Sequence, residues 1–168
     1  LTAEKLSQVR TAIMGFGNPC RSDDGIGIYV TEKLTRLFQG REDISVFDMG
    51  TGAFEVLFKL KGHDRIILVD AVLDAQEPVG SLFQLPASEV MRAPQEDPMV
   101  FLHSIKWDQA LSYARRILQD EYPDDIEVYL IAIEDTRLEI GLSETVREAG
   151  ERLISILSEK FQHAISMP

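Results

Sequence analysis

The sequence predicts an α/β domain: a single three-layer α/β/α sandwich around a mostly parallel twisted sheet of about five strands, with one antiparallel edge strand. Three observations predict it. Short apolar runs without polar alternation recur along the chain, as strands covered on both faces require. Helical patterns with three- and four-residue spacing lie between them. Several of the runs stop at a glycine turn or a carboxylate, the punctuation expected where parallel strands end at one rim of an open sheet. The 168 residues suit one domain, spanning 1–168 with its core at about 11–162.

Residues 1–10 read as a polar lead-in. Thr11 to Phe16 is the first strand, stopped by Gly17-Asn18-Pro19. Gly25 to about Gln39 is a helix with Ile26, Val30, Leu34 and Leu37-Phe38 on its apolar stripe, and Asp23 or Asp24 is placed to cap it. Ile44 to Phe47 is the second strand, ending at Asp48-Met49-Gly50-Thr51-Gly52. Phe54 to Leu60 is a brief helix with Phe54, Leu57 and Phe58 along it. Arg65 to Val69 is the third strand, and Asp70 stands directly at its end.

Gly80 to Leu85, bounded by Pro78 and Pro86, reads as an antiparallel edge strand. Pro86 to about Phe101 reads as a long surface loop with one short helical turn, and its far end supplies His103. His103 to Gln119 is helical, with Trp107, Leu111, Ala114 and Leu118 on one stripe and Arg115, Arg116 and Glu121 toward solvent. Ile126 to Ile133 is the last strand, ending at Glu134-Asp135. Ser143 and Glu144 open the last helix, whose apolar face carries Val146, Ala149, Leu153, Ile156-Leu157 and Phe161. Right-handed crossovers then gather Asp24, Gly50, Asp70 and Glu134 near one rim.

Composition narrows the function classes. Seventeen basic residues against 28 acidic give a formal charge of −11, which argues against a nucleic-acid or anionic-membrane surface. A single cysteine, Cys20, excludes an internal disulfide and a cysteine-rich zinc site, and makes the reducing cytoplasm the expected compartment. No apolar run is long enough for a membrane span, and the first residues lack a signal-peptide pattern.

Gly15-Phe16-Gly17 resembles the start of a dinucleotide-binding G-x-G-x-x-G turn, but Cys20 stands where the third glycine belongs, and Asp23 and Asp24 would repel a pyrophosphate. No G-x-S-x-G elbow supports a serine nucleophile, and Cys20 reads as a small turn residue. The better constellation is Asp24, Asp70 and His103. Carboxylate oxygens and an imidazole nitrogen together form an open, incomplete shell for a metal of the nickel or zinc type. Each also has a plain reading: the acids as helix caps, and His103 as a half-buried residue at a helix start. Of the other histidines, His63 reads as part of a surface turn and His163 as part of a frayed tail.

Gly15-Phe16-Gly17-Asn18 followed by Asp23-Asp24-Gly25-Ile26-Gly27 resembles the N-terminal signature of the hydrogenase maturation proteases. The resemblance continues through Asp48-Met49-Gly50-Thr51-Gly52 (Met49 where glycine is common), Asp70-Ala71-Val72, His103 before a helix, and Gly141-Leu142-Ser143 at the last helix. It covers roughly residues 11 to 160. It implies an endopeptidase that removes the C-terminal extension from the large-subunit precursor of a NiFe hydrogenase. Nickel already inserted in that precursor serves as the recognition signal, held by Asp24, Asp70 and His103, with no tightly held metal of the protease's own. Asp24 and Asp70 are the candidates for proton transfer, Asp23 for a supporting contact or cap, and Gly50, Thr51 and Gly52 for shaping the peptide cleft. Two alternatives stay open at this point: a non-enzymatic metal-delivery or maturation partner on the same fold, and a nucleotide-binding domain.

Overall fold

A computed structural model describes residues 8–52, 55–92 and 106–162. Five strands form one sheet in the order β2-β1-β3-β5-β4. They are β1 (Thr11–Phe16), β2 (Ile44–Gly50), β3 (Arg65–Leu73), β4 (Leu82–Pro86) and β5 (Asp125–Ile133). The first three and β5 run parallel, and β4 is the antiparallel edge strand. The helices are α1 (Ile26–Leu37), α2 (Val56–Lys59), α3 (Ala87–Arg92), α4 (Lys106–Leu118) and α5 (Glu144–Gln162). This is the predicted sandwich, with β4 in the predicted orientation.

Strand parity divides the core into two layers. Ala12, Met14, Phe16, Ile66, Leu68 and Val72 face α2, α3 and α4. Ile13, Ile67, Val69 and Ala71 face α1 and α5. Every residue of β1 is buried, as its lack of polar alternation requires. On α5, Val146, Ala149, Leu153 and Leu157 keep the helical period and are all fully buried, so Leu153→Ala would cost about 2–5 kcal/mol.

The observed elements correct several expectations. β3 does not stop before Asp70 but runs on to Leu73, because β5 continues to pair with it as far as Leu73↔Ile133. β2 extends to Gly50 rather than Phe47. Its pairing with β1 passes from Gly15↔Asp48 to Phe16↔Gly50, so Met49 is an extra bulged residue. Met49 shares its side of β2 with Phe47 and is buried in the core layer that also holds Phe16, Val56 and Trp107. Val56 and Leu60, just past the end of α2, are buried, and Leu57 packs on the same layer as expected, while Phe58 is 81% exposed. The predicted apolar face is therefore shifted toward Val56 and away from Phe58, and Phe54 lies outside the described residues. Pro86 ends β4, and the short helical turn expected within the following segment is a six-residue helix that starts directly after it. The remainder of that predicted loop, including His103, lies outside the described residues.

The strand order places a topological switch between β1 and β3. The chain leaves β1 for β2 on one side across the α1 face, then returns to β3 on the other side across the α2 face. Helices diverging in this way open a crevice at the carboxyl ends of the two strands, where open α/β sheets place their ligands.

Candidate functional site

Asp24 reaches the crevice through the turn that ends β1. Asn18 folds the chain back: its side-chain Oδ1 accepts the Cys20 N–H (2.9 Å) and its carbonyl accepts the Arg21 N–H (2.9 Å). A 3-10 turn, Ser22–Gly25, then leads into α1. Two glycines make this close packing feasible. A Cβ on Gly17, at φ +145°, would lie 2.0 Å from the Asp24 carbonyl oxygen. A Cβ on Gly27 would lie 2.1 Å from the Phe16 oxygen and 2.9 Å from the Val69 oxygen, so only glycine lets α1 start against the ends of β1 and β3. The Asp24 carboxylate, half-buried, accepts the Asn18 N–H at 2.9 Å.

Asp70 comes from the other side of the crevice. The last pair between β1 and β3 is Gly15↔Val69, so Asp70 is the first residue of β3 to project past its neighbour. The expected rim position is thus met although the strand continues, because β1 stops before β3 does. Asp70 shares parity with Leu68 and Val72 and so faces α4. There Trp107 Nε1–H donates to Oδ2 at 3.1 Å, and the Ala71 N–H donates to Oδ1 at 2.8 Å.

Burial of its carboxyl group pushes Asp70 up to about 7. The two donors pull the other way, and the negative charge of Asp24 makes the smallest addition to the rise. A carboxylate shifted this far beside a second acid is typical of functional sites.

The other predicted site residues separate from this pair. Asp23 turns away and is 2% exposed. It caps neither the 3-10 turn nor α1, both of which lack a side-chain cap. Its Oδ1 instead accepts the Ser143 N–H (2.7 Å) and its Oδ2 the Ser143 hydroxyl (2.9 Å). Ser143 precedes α5 and accepts the Val146 and Arg147 N–H groups, as the sequence predicts for a cap. Gly50, Thr51 and Gly52 lie beyond β1 from Asp70. The Gly50 carbonyl accepts the Gly17 N–H at 2.9 Å, which ties the end of β2 to the Asp24 turn.

Glu134 is exposed. Asp135 builds the neighbouring loop: its carbonyl accepts the Asp23 N–H, and its carboxylate, held down at about 2 by Arg137, takes the guanidinium fork. His63 sits at the opposite end of the sheet, just before β3 begins, with Nδ1 2.8 Å from the Lys59 carbonyl. Cys20 is exposed within its turn.

Among the described residues no three His, Cys, Asp or Glu side chains gather as a metal site. Asp24 and Asp70 supply two of the three predicted donors, and His103, the third, falls outside the described residues. The nucleotide alternative loses its backbone donor, since the Asn18 N–H that would meet a phosphate already holds the Asp24 carboxylate. Sequence reasoning missed Trp107 as the partner of Asp70. The signal was available: parity points Asp70 at one face, and the Trp107 stripe covers a face.

A family model described as hydrogenase maturation protease matches residues 28–160. The chain is 26% identical over 166 residues to the hydrogenase 2 maturation protease of Escherichia coli, covering 94% of this chain and 96% of that one. It is 24% identical to a putative hydrogenase maturation protease of Methanocaldococcus jannaschii, covering 89% and 87%. Among solved structures, the E. coli hydrogenase maturating endopeptidase HybD superposes with a TM-score of 0.75 at 22% identity, covering 93% of this chain and 94% of that one. HybD from Thermococcus kodakarensis superposes at 0.73 with 20% identity, covering 90% and 98%. At these identities the solved structures establish the shared fold.

Proposed function

The chain belongs to the hydrogenase maturation protease family and is therefore an endopeptidase, a hydrolase, and from that premise we propose that it removes the C-terminal extension from the nickel-loaded precursor of a NiFe-hydrogenase large subunit. Family membership removes the non-enzymatic alternative.

One observation carries the reading. Two carboxylates face one crevice at the β1/β3 switch, and the buried one is pushed up to about 7 partly by the charge of the other. Such a pair gains from an incoming cation, which relieves the repulsion and favours the ionised form of Asp70. The cation in this proposal is the precursor's own nickel, a part of the substrate. Asp24 and Asp70 are oxygen donors toward it and His103 the nitrogen donor, a set suited to nickel. Because the shell is open, the precursor's own ligands complete it, and a precursor without nickel lacks the charge that draws it into the crevice.

Peptide hydrolysis requires water to add to the scissile carbonyl carbon and a proton to reach the leaving amine as the C–N bond breaks. Asp24 or Asp70 takes the proton from the attacking water and returns it to the amine. Gly50, Thr51 and Gly52 border the path of the substrate peptide on the β2 side.

The test is incubation of the purified protein with nickel-loaded and nickel-free precursor, followed by mass spectrometry. The expected result is release of a C-terminal peptide from the loaded precursor alone. Equal cleavage of both would overturn recognition through nickel, and a loaded precursor left intact would overturn the substrate assignment. Asp24→Asn, Asp70→Asn and His103→Ala should each abolish release while the protein stays folded.

A further inference from the structure

Trp107 is the single tryptophan of the chain and is 1% exposed. Its ring packs 6.4 Å from that of Phe16, the last residue of β1, at an interplanar angle of 33°. Its Nε1–H donates to Asp70 Oδ2. Three elements therefore meet at one indole: the end of β1 that leads to Asp24, the Asp70 carboxylate on β3, and the start of α4.

The two donors on Asp70 differ in kind. The Ala71 N–H belongs to the strand and holds only Oδ1. A carboxylate held through one oxygen can still pivot, since the terminal torsion of Asp has a broad, shallow profile. A second donor on the other oxygen fixes the carboxylate plane. An ionised carboxylate offers about four acceptor positions, so both oxygens keep acceptor capacity for a substrate group.

We propose that Trp107 is a positioning residue: its indole N–H, working with the Ala71 N–H, sets the rotation of the Asp70 carboxylate so that the remaining lone pairs meet the incoming substrate. This rests on the reading of Asp70 as a residue of the proteolytic site. The plainer account is that a buried indole N–H needs an acceptor and Asp70 supplies it. The two accounts differ in what loss of the N–H does to turnover.

Because Trp107 stands alone, biosynthetic replacement of tryptophan by benzothienylalanine changes one group in the whole protein. Sulfur replaces the N–H, and the ring shape and apolar volume are kept. The expected result is a fall in kcat for precursor cleavage of about 10–100-fold, the usual effect of losing a partner that orients a site ligand. KM for the precursor should stay at its wild-type value, and the melting temperature should fall by only a few degrees, leaving the protein folded at the assay temperature. Trp107→Phe should show the same loss of kcat. Unchanged kcat in the fully substituted protein would overturn the proposal, as would a loss of activity that only tracks loss of folded protein. An independent readout is the hydrogen-bond-sensitive Raman band of the indole N–H. It should move to a weaker-bond position in Asp70→Leu, and an unmoved band would overturn the contact itself. Asp70→Asn separates the two levels. If it cleaves at the wild-type rate, the reading of Asp70 fails. If it is inactive while the isostere protein keeps full kcat, only the positioning role fails.

Discussion

Asp23 and Asp24 are neighbours in one 3-10 turn, yet they serve two regions of opposite character. Asp23 turns toward the loop after β5 and the start of α5 and is fully partnered there: both oxygens accept from Ser143, and its N–H donates to the Asp135 carbonyl. Asp24 enters the β1/β3 side, where its one described donor is the Asn18 N–H and its neighbour is another acid. The first region spends its charge on folding, by joining the β1 turn to the start of α5. The second leaves charge uncompensated beside a buried carboxyl group. A satisfied buried acid is structure, whereas an acid held against a like charge is available for chemistry.

The largest expected effect lies on the open side. Asp70→Asn should lower precursor cleavage by more than about 100-fold, the upper range for residues that act only through another ligand. Its circular dichroism should match the wild type.

The pH dependence of stability sharpens the contrast. Asp70 has a folded-state pKa of about 7 against an unfolded value of 3.8, so between these pH values the folded protein binds the extra proton. Stability contributed by the protonated group is therefore complete below about pH 4 and lost as pH rises through about 7. The shift sets a ceiling of about 4 kcal/mol on that loss, reduced where water reaches the side chain. Urea titrations of the wild type and Asp70→Asn across this range should differ by that slope, with the variant the flatter. Loss of both the slope difference and the activity effect would make the open side no different from the Asp23 side.

Asp23→Ala should give the reverse pattern. It removes a buried carboxylate that accepts both Ser143 donors, and hydrogen bonds to a charged group of this kind are worth about 2–3 kcal/mol in denaturant unfolding. Cleavage per folded molecule should hold near the wild-type value. The smallest effect is Ser143→Ala, about 1 kcal/mol from loss of the α5 cap, read in the same unfolding assay. If Asp23→Ala instead lost turnover without losing stability, the division between the two sides would be wrong.

Much of this was legible in the chain. The all-apolar run of β1, the period of α1 and α5, and the prolines near β4 fix those elements locally, although Leu37 and Ile156, expected on apolar faces, are exposed and β4 runs from Leu82 through Pro86. Asp24 and Asp70 were identifiable as rim acids from their places after apolar runs. The ends of β2 and β3 were not legible, because a strand stops where its partner stops, and the partner is distant in sequence. The inward face of α2 was misread because a single helical turn carries too little period to set its rotation. Asp23 and Asp24 were indistinguishable as letters: nothing local says that Ser143, 120 residues away, claims one and not the other.

The sequence by itself determined the α/β class, the glycines that let a helix start against two strand ends, and the pair of acids that the family pattern singles out. Local sterics and hydrophobic periodicity act within a few residues, so they can be read from the chain. Tertiary structure alone decided that the β1/β3 pairing ends one residue short of Asp70, that Trp107 supplies its second donor, and that burial together with Asp24 lifts it to about 7. Desolvation and like-charge repulsion depend on which groups the fold brings together, and those distances exist only once the sheet is assembled.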